Sequence, residues 1–121
     1  MPTAPAPLLV LTTVGNRADA DRLARSMVEQ RLAACVHIEA IDSVYCWDGQ
    51  LQQEAELRLL LKTTDATYPA LEAALRREHP YTLPAIVALA CAGAEPGFAA
   101  WVAQECEAVV PSSANPRSAA E

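Results

Sequence analysis

Residues 34–64 read ACVHIEAIDSVYCWDGQLQQEAELRLLLKTT, two extended runs joined by Asp48-Gly49. An Asp-Gly pair between strand-like segments is one of the strongest short-range hairpin signals, because both residues tolerate the positive φ that a tight turn demands. The arms, Ala34 to Trp47 and, after Leu51, Glu54 to Thr63, are far longer than the average strand of about 5–6 residues. In the second arm Leu57, Leu59 and Leu61 share one face, while Glu56, Arg58, Leu60 and Lys62 share the other. In the first, Val36 and Ile38 alternate with Cys35, His37 and Glu39, and the apolar phase then jumps to Ile41, Tyr45 and Trp47. A slip of phase by one residue predicts a bulge or bend near Ala40.

Upstream of the hairpin, Leu8 to Thr13 is a short apolar, β-branched run that halts at Val14-Gly15-Asn16, a buried strand followed by a turn. Asn16 is placed to cap a helix with Asp19 and Asp21 in its first turn and Ala20, Leu23, Ala24, Met27, Val28 and Leu32 on one stripe. Downstream, a second helix starts around Asp65 or Thr67, buries Tyr68, Leu71, Ala74 and Leu75, and stops at His79-Pro80. Leu83 to Cys91 reads as the last main strand, and Glu95 to Cys106 as a short helix with Phe98, Trp101 and Val102 on its packing stripe.

The order β-α-β-β-α-β plus a terminal helix is the split βαβ arrangement of the ferredoxin-like α+β sandwich. One domain over residues 8–106 is expected, with flexible tails at 1–7, which holds three prolines, and at 109–121. Both crossover helices then cover the same sheet face. The other face, bearing Leu60 and Cys35, and the overlong hairpin need a partner, and a closed three-fold ring of identical copies covers both. A homotrimer is the expectation.

Composition narrows the functions. Fifteen acidic against nine scattered basic side chains give a net charge of −6, which disfavours nucleic acid as a partner, since phosphate contacts need a concentrated cationic patch. No apolar run approaches the roughly 20 residues of a membrane span, and the opening residues lack signal-peptide character, so a cytoplasmic protein without a membrane partner is expected. The four cysteines, Cys35, Cys46, Cys91 and Cys106, form no CxxC pair and are expected to be reduced. There is no Gly-rich phosphate loop, no GxSxG elbow and no HExxH helix, so an enzyme is not expected.

Several motifs in sequence order are distinctive: Arg31-Leu32-Ala33-Ala34-Cys35-Val36, Ser43-Val44-Tyr45-Cys46-Trp47-Asp48-Gly49, Glu56, Leu61-Lys62-Thr63-Thr64, His79-Pro80-Tyr81, and Phe98 with Trp101. Their order and spacing resemble the CutA family, the divalent-cation tolerance proteins, from about Leu9 to Val102. The resemblance implies a ferredoxin-like protomer in a tight homotrimer whose hairpins wrap their neighbours, copper binding and a role in metal tolerance. It also implies a loose likeness in shape to PII signalling proteins. Three positions depart from the family's habit: Ala85 after Pro84, where many members carry glutamate; Thr12, where some carry cysteine; and His37, where asparagine is common.

Cys35 and His37, two apart on a strand, share a face, and a thiolate with an imidazole suits copper or another divalent metal, with His79 as a further candidate ligand. Two ligands do not complete a site, and a packed thiol beside a solvated histidine is the competing reading. No cofactor is obligatory. Glu56 and Lys62 are candidates for ion pairs across a subunit interface, Trp47 for an interface anchor, and Tyr81 and Trp101 for a ligand pocket or interface. Two functions fit: a binding or tolerance factor holding a metal or a small ligand in clefts between subunits, or a PII-like signalling or scaffold trimer that binds a small ligand or a protein partner.

Overall fold

In the computed structural model, which describes residues 5–106, a four-stranded antiparallel sheet in the order β2-β3-β1-β4 carries two crossover helices. The elements are β1 (Leu8–Val14), α1 (Arg17–Glu29), β2 (Cys35–Trp47), β3 (Gln50–Thr63), α2 (Tyr68–Glu78), β4 (Val87–Ala90) and α3 (Pro96–Glu105). This is the ferredoxin-like fold. Of the tails expected to be flexible, residues 1–4 and 109–121 lie outside the described residues, and Pro7 is buried.

The hairpin turn is as tight as a turn can be. Asp48 and Gly49 both take positive φ, 53° and 75°, the combination that matches the twist of the flanking strands. From Trp47↔Gln50 to Cys35↔Lys62 the β2-β3 register then runs without interruption, so the bulge expected near Ala40 is absent. The apolar phase shifts for another reason. Val36, Ile38 and Ala40 face the helices opposite Leu61, Leu59 and Leu57, but beyond Ala40 the hairpin extends past the core, and no buried face remains to impose alternation.

Val10, Val14, Leu59 and Leu61 from the sheet meet Leu23 and Met27 of α1 and Leu71 and Leu75 of α2, all fully buried. Truncating such a side chain to alanine costs about 2–5 kcal/mol. Asn16 caps α1 as expected, its Oδ1 accepting the Asp19 N–H at 2.8 Å. Thr67 is the N-cap of α2, and its N–H donates to the Thr64 hydroxyl at 3.1 Å. The two helices are latched through Glu78, whose carboxylate accepts from Ser26 (2.7 Å) and Gln30 (2.9 Å) while Arg22 donates to its carbonyl. The latch fixes where α2 ends, and so where His79 sits.

Two expectations are corrected. The last strand is only Val87–Ala90, not Leu83 to Cys91: Pro84 has no N–H to give a ladder, and Leu83 is 71% exposed. On α3 the packing stripe is Ala99, Val102 and the following Cys106, while Phe98 and Trp101, with ring centroids 5.9 Å apart, turn outward.

Arg31 explains how α3 is held. It takes φ 62° just past α1, where glycine is usual, and the N–H groups of Arg31 and Leu32 close back onto Val28 and Met27. Its guanidinium donates to the carbonyls of Gln104 (2.6 Å) and Glu105 (3.1 Å), the unsatisfied end of α3. Arg31→Gly is therefore expected to relieve backbone strain of about 1 kcal/mol yet loosen α3. Hydrogen exchange at the Val102 to Cys106 amides should accelerate while the end of α1 stays protected; unchanged protection of α3 would contradict the clamp.

Candidate functional site

The polar side chains of interest lie on the sheet face that the helices leave uncovered, and a single geometric relation organises them. In the unbroken β2-β3 register each cluster joins a β2 residue to the β3 residue two positions beyond its direct partner: Ser43 to Glu56, Tyr45 to Glu54 and His37 to Lys62. Diagonal neighbours of this kind are within reach of long side chains. Arg58 and Glu39, directly opposed, form an exposed ion pair at 3.1 Å, and the guanidinium holds the Glu39 carboxyl below its ordinary range.

Cys35 and His37 do share this face, with Cys35 directly opposite Lys62. The Lys62 ammonium, buried among the strands, donates to His37 Nδ1 at 2.6 Å. Burial pushes the Lys62 pKa down, against the opposing pull of Cys35 and Glu39. Lys62 therefore engages the Nδ1 lone pair of His37, and a cation using that nitrogen has to displace it. Among the described residues, no three His, Cys, Asp or Glu side chains gather closely enough to hold a metal ion.

His79 is built into the fold. Its Nδ1 accepts the Tyr81 N–H at 3.0 Å, which assigns the ring proton to Nε2, and Nε2 lies 3.0 Å from the Thr13 carbonyl and 3.1 Å from the Thr12 hydroxyl. Both nitrogens are occupied, so the ring has no lone pair left for a metal in this arrangement. Thr12, at a position where relatives were expected to offer a cysteine, instead offers a hydroxyl to this ring.

Glu56 is the hub of the outer cluster. It is only 8% exposed, and its two oxygens accept from Ser43 (2.6 Å) and Tyr81 (2.8 Å). Burial and then the Glu56 carboxylate hold the Tyr81 phenol far above its usual pKa, so it stays a donor. Gly15 leaves room for this contact: a Cβ there would stand 3.3 Å from the Tyr81 hydroxyl. Tyr45 donates to Glu54 at 2.6 Å, and Trp47, 56% exposed, continues the same face. With Asp42 and the 80–85 loop these residues wall an open groove of about 910 Å³.

Glu56 and Lys62, candidates for ion pairs between subunits, thus have hydrogen-bond partners within the chain, and Trp101 lies on α3 away from the groove. Ser43 and Tyr45 stood in a distinctive motif, but neither they nor Glu54 were among the candidate site residues. The turn contained the signal: counting back from a two-residue turn after Trp47 sets the register that brings each beside its partner.

These features define a ferredoxin-like α+β protein with an overlong central hairpin and a polar, uncovered sheet face. A family model described as CutA1 divalent ion tolerance protein matches residues 8–105, and the chain belongs to that family. It is 41% identical over 95 residues to the divalent-cation tolerance protein CutA of Thermus thermophilus, covering 78% of this chain and 92% of that one. Among solved structures it is similar to CutA of Synechococcus elongatus, with TM-score 0.82 and 36% identity over 86% of this chain and 94% of that one. It is also similar to a protein of Archaeoglobus fulgidus described as a periplasmic divalent cation tolerance protein, with TM-score 0.81 and 27% identity over 84% and 99%. No helix among the described residues is long and apolar enough to cross a membrane.

The His79 geometry sets a pH dependence. Burial, opposed by the Thr13 carbonyl, depresses the His79 pKa below 6.5, so the unfolded chain takes up a proton first as pH falls. Its contribution to stability is full above about pH 6.5 and is lost as pH drops toward the folded value. Urea unfolding at pH 7.5 and 5.5 is expected to show a loss that His79→Gln, which can keep one donor and one acceptor, reduces. An equal loss in the variant would place the sensitivity elsewhere.

Proposed function

We propose that the chain acts as a cytoplasmic homotrimer in divalent-cation tolerance, binding a metal ion rather than catalysing a reaction. The observation that carries the assembly is the uncovered sheet face. Leu11 pairs with both Leu60 and Val87, and Leu9 with Leu89, so the register gathers five apolar side chains into one patch with Val87 48% and Leu89 45% exposed. A patch of this kind beside free edges on β2 and β4 favours burial against identical copies, and a three-fold ring closes without leaving an edge.

For the metal, Cys35 and His37 offer the soft and borderline donors that copper or another divalent ion prefers, with further ligands supplied by neighbouring copies. Entry of the cation releases the Lys62 ammonium from His37. Both donors bind deprotonated, so affinity falls as the solution is acidified. Four cysteines, all free in the structure, are compatible with a reducing compartment.

Light scattering is expected to give three times the chain mass for the parent and one chain mass for Leu60→Glu, which puts a charge in the patch but not in the helix-covered core. A monomeric parent, or a trimeric Leu60→Glu, would refute the assembly. Copper titrated at pH 7.5 should bind at least tenfold more weakly to both Cys35→Ser and His37→Asn; parent-like affinity in both would remove the metal from this face.

A further inference from the structure

The 80–85 loop is held by very little. Pro80 and Pro84 have no N–H to donate, and among the described residues no backbone–backbone hydrogen bond involves residues 80–85. Pro80, Thr82, Leu83 and Ala85 are exposed, and the chain next packs against the core at Ile86. Among the described residues, both hydrogen bonds that hold the loop belong to Tyr81: its N–H donates to His79 Nδ1 at 3.0 Å, and its hydroxyl donates to Glu56 at 2.8 Å. The other ring nitrogen, Nε2, faces the Thr13 carbonyl at 3.0 Å and the Thr12 hydroxyl at 3.1 Å. A proton tells the two sides of the ring apart. Nε2 carries hydrogen in the neutral ring and in the imidazolium alike, so the contacts to β1 survive protonation. Nδ1 turns from acceptor into donor and then meets the Tyr81 N–H, donor against donor.

We propose that a proton on His79 Nδ1 releases the 80–85 loop while the rest of the fold stays in place, which makes the loop an acid-sensitive clasp on the open face of the sheet. The charged and titratable groups facing the ring come from three segments: Asp19 and Arg22 of α1, Glu56 of β3, and Tyr81 of the loop itself, whose ring centroid lies 5.0 Å away. From β1 the ring meets only the neutral Thr12 and Thr13. Burial opposes the imidazolium, and Arg22 does so too, while the Thr13 carbonyl, Asp19 and Glu56 favour it, so the clasp opens on the acid side of the ordinary histidine range. The bonds that tie Glu78 to α1 do not involve Nδ1, and the change is confined to the loop. Tyr81 carries the effect of the same proton to the uncovered face. When the loop departs, Glu56 keeps the Ser43 hydroxyl and loses its second donor. The clasp goes beyond the metal-tolerance reading and depends neither on it nor on Cys35 and His37.

The test follows the full chain, labelled with nitrogen-15 and carbon-13, by nuclear magnetic resonance in metal-free buffer from pH 7.5 to 5.0. His37 and His79 are the only histidines, so His37→Asn assigns the His79 ring signals. The Tyr81 amide is expected to shift with the midpoint of the His79 ring, and its hydrogen exchange, corrected for the intrinsic effect of pH, to accelerate about tenfold or more. Tyr81 Cζ should move with the same midpoint although the phenol stays protonated, which reads the loss of the Glu56 contact. The amides of Val10, Leu59 and Leu61 in the core should not follow. His79→Gln should abolish the titration at Tyr81; should that variant not fold, the ring and amide curves of the parent decide alone. A His79 ring that titrates without Tyr81, a ring that does not titrate above pH 5.0, core amides that move with the same midpoint, or a Tyr81 titration that persists in His79→Gln would each overturn the proposal.

Discussion

A two-residue turn governs this molecule. Asp48 and Gly49, both at positive φ, join strands of 13 and 14 residues with no slack, so every cross-strand neighbour in the hairpin is determined once Trp47 opposes Gln50. The inner half of that ladder lays Val36 and Ile38 against the helices beside Leu59 and Leu61 and completes the core. The outer half, projecting beyond the helices, repeats one diagonal relation that brings Ser43 to Glu56 and Tyr45 to Glu54. Core and groove are consequences of the same register.

The second constraint comes from the opposite side of the sheet. Glu78, held by Ser26 and Gln30, fixes the end of α2, and His79 then ties the following loop to β1 through Thr12 and Thr13. The Tyr81 N–H, donating to the same imidazole, sets the loop so that the Tyr81 phenol reaches Glu56 across the face. One wall of the groove is therefore held by a chain of hydrogen bonds from helix to loop to hairpin, and a proton on His79 Nδ1 would break that chain in its middle.

Much of this was legible in the residues. Asp48-Gly49 announces the hairpin, Asn16 with Asp19 announces α1, and the leucine alternation in β3 identifies its two faces, because each signal is local and has a definite stereochemical cause. Where a side chain's partner is remote, the sequence was silent: His79 reads as a candidate ligand until its contacts with Thr12 and Thr13, 67 and 66 residues earlier, are seen. Cys35 and His37 were rightly placed on one face, but the diagonal neighbour Lys62 was not visible in their spacing. The bulge expected near Ala40 rested on the rule that apolar phase follows a buried face, and beyond Ala40 that face has ended. Likewise Phe98 and Trp101 suggest a packing stripe by composition, whereas α3 buries Ala99 and Val102 on its other side, with Val102 and the following Cys106 clustered with Ala34.

The central claim, an unbroken register from the turn to the core, can be read directly by nuclear Overhauser effects between backbone amides in deuterated protein. The account requires one continuous ladder along β2 and β3, with Ile41 opposite Glu56 and Ser43 opposite Glu54 in the same register as Val36 opposite Leu61. A break or one-residue offset near Ala40 would contradict it, since the groove residues would then no longer share a face with Cys35 and His37.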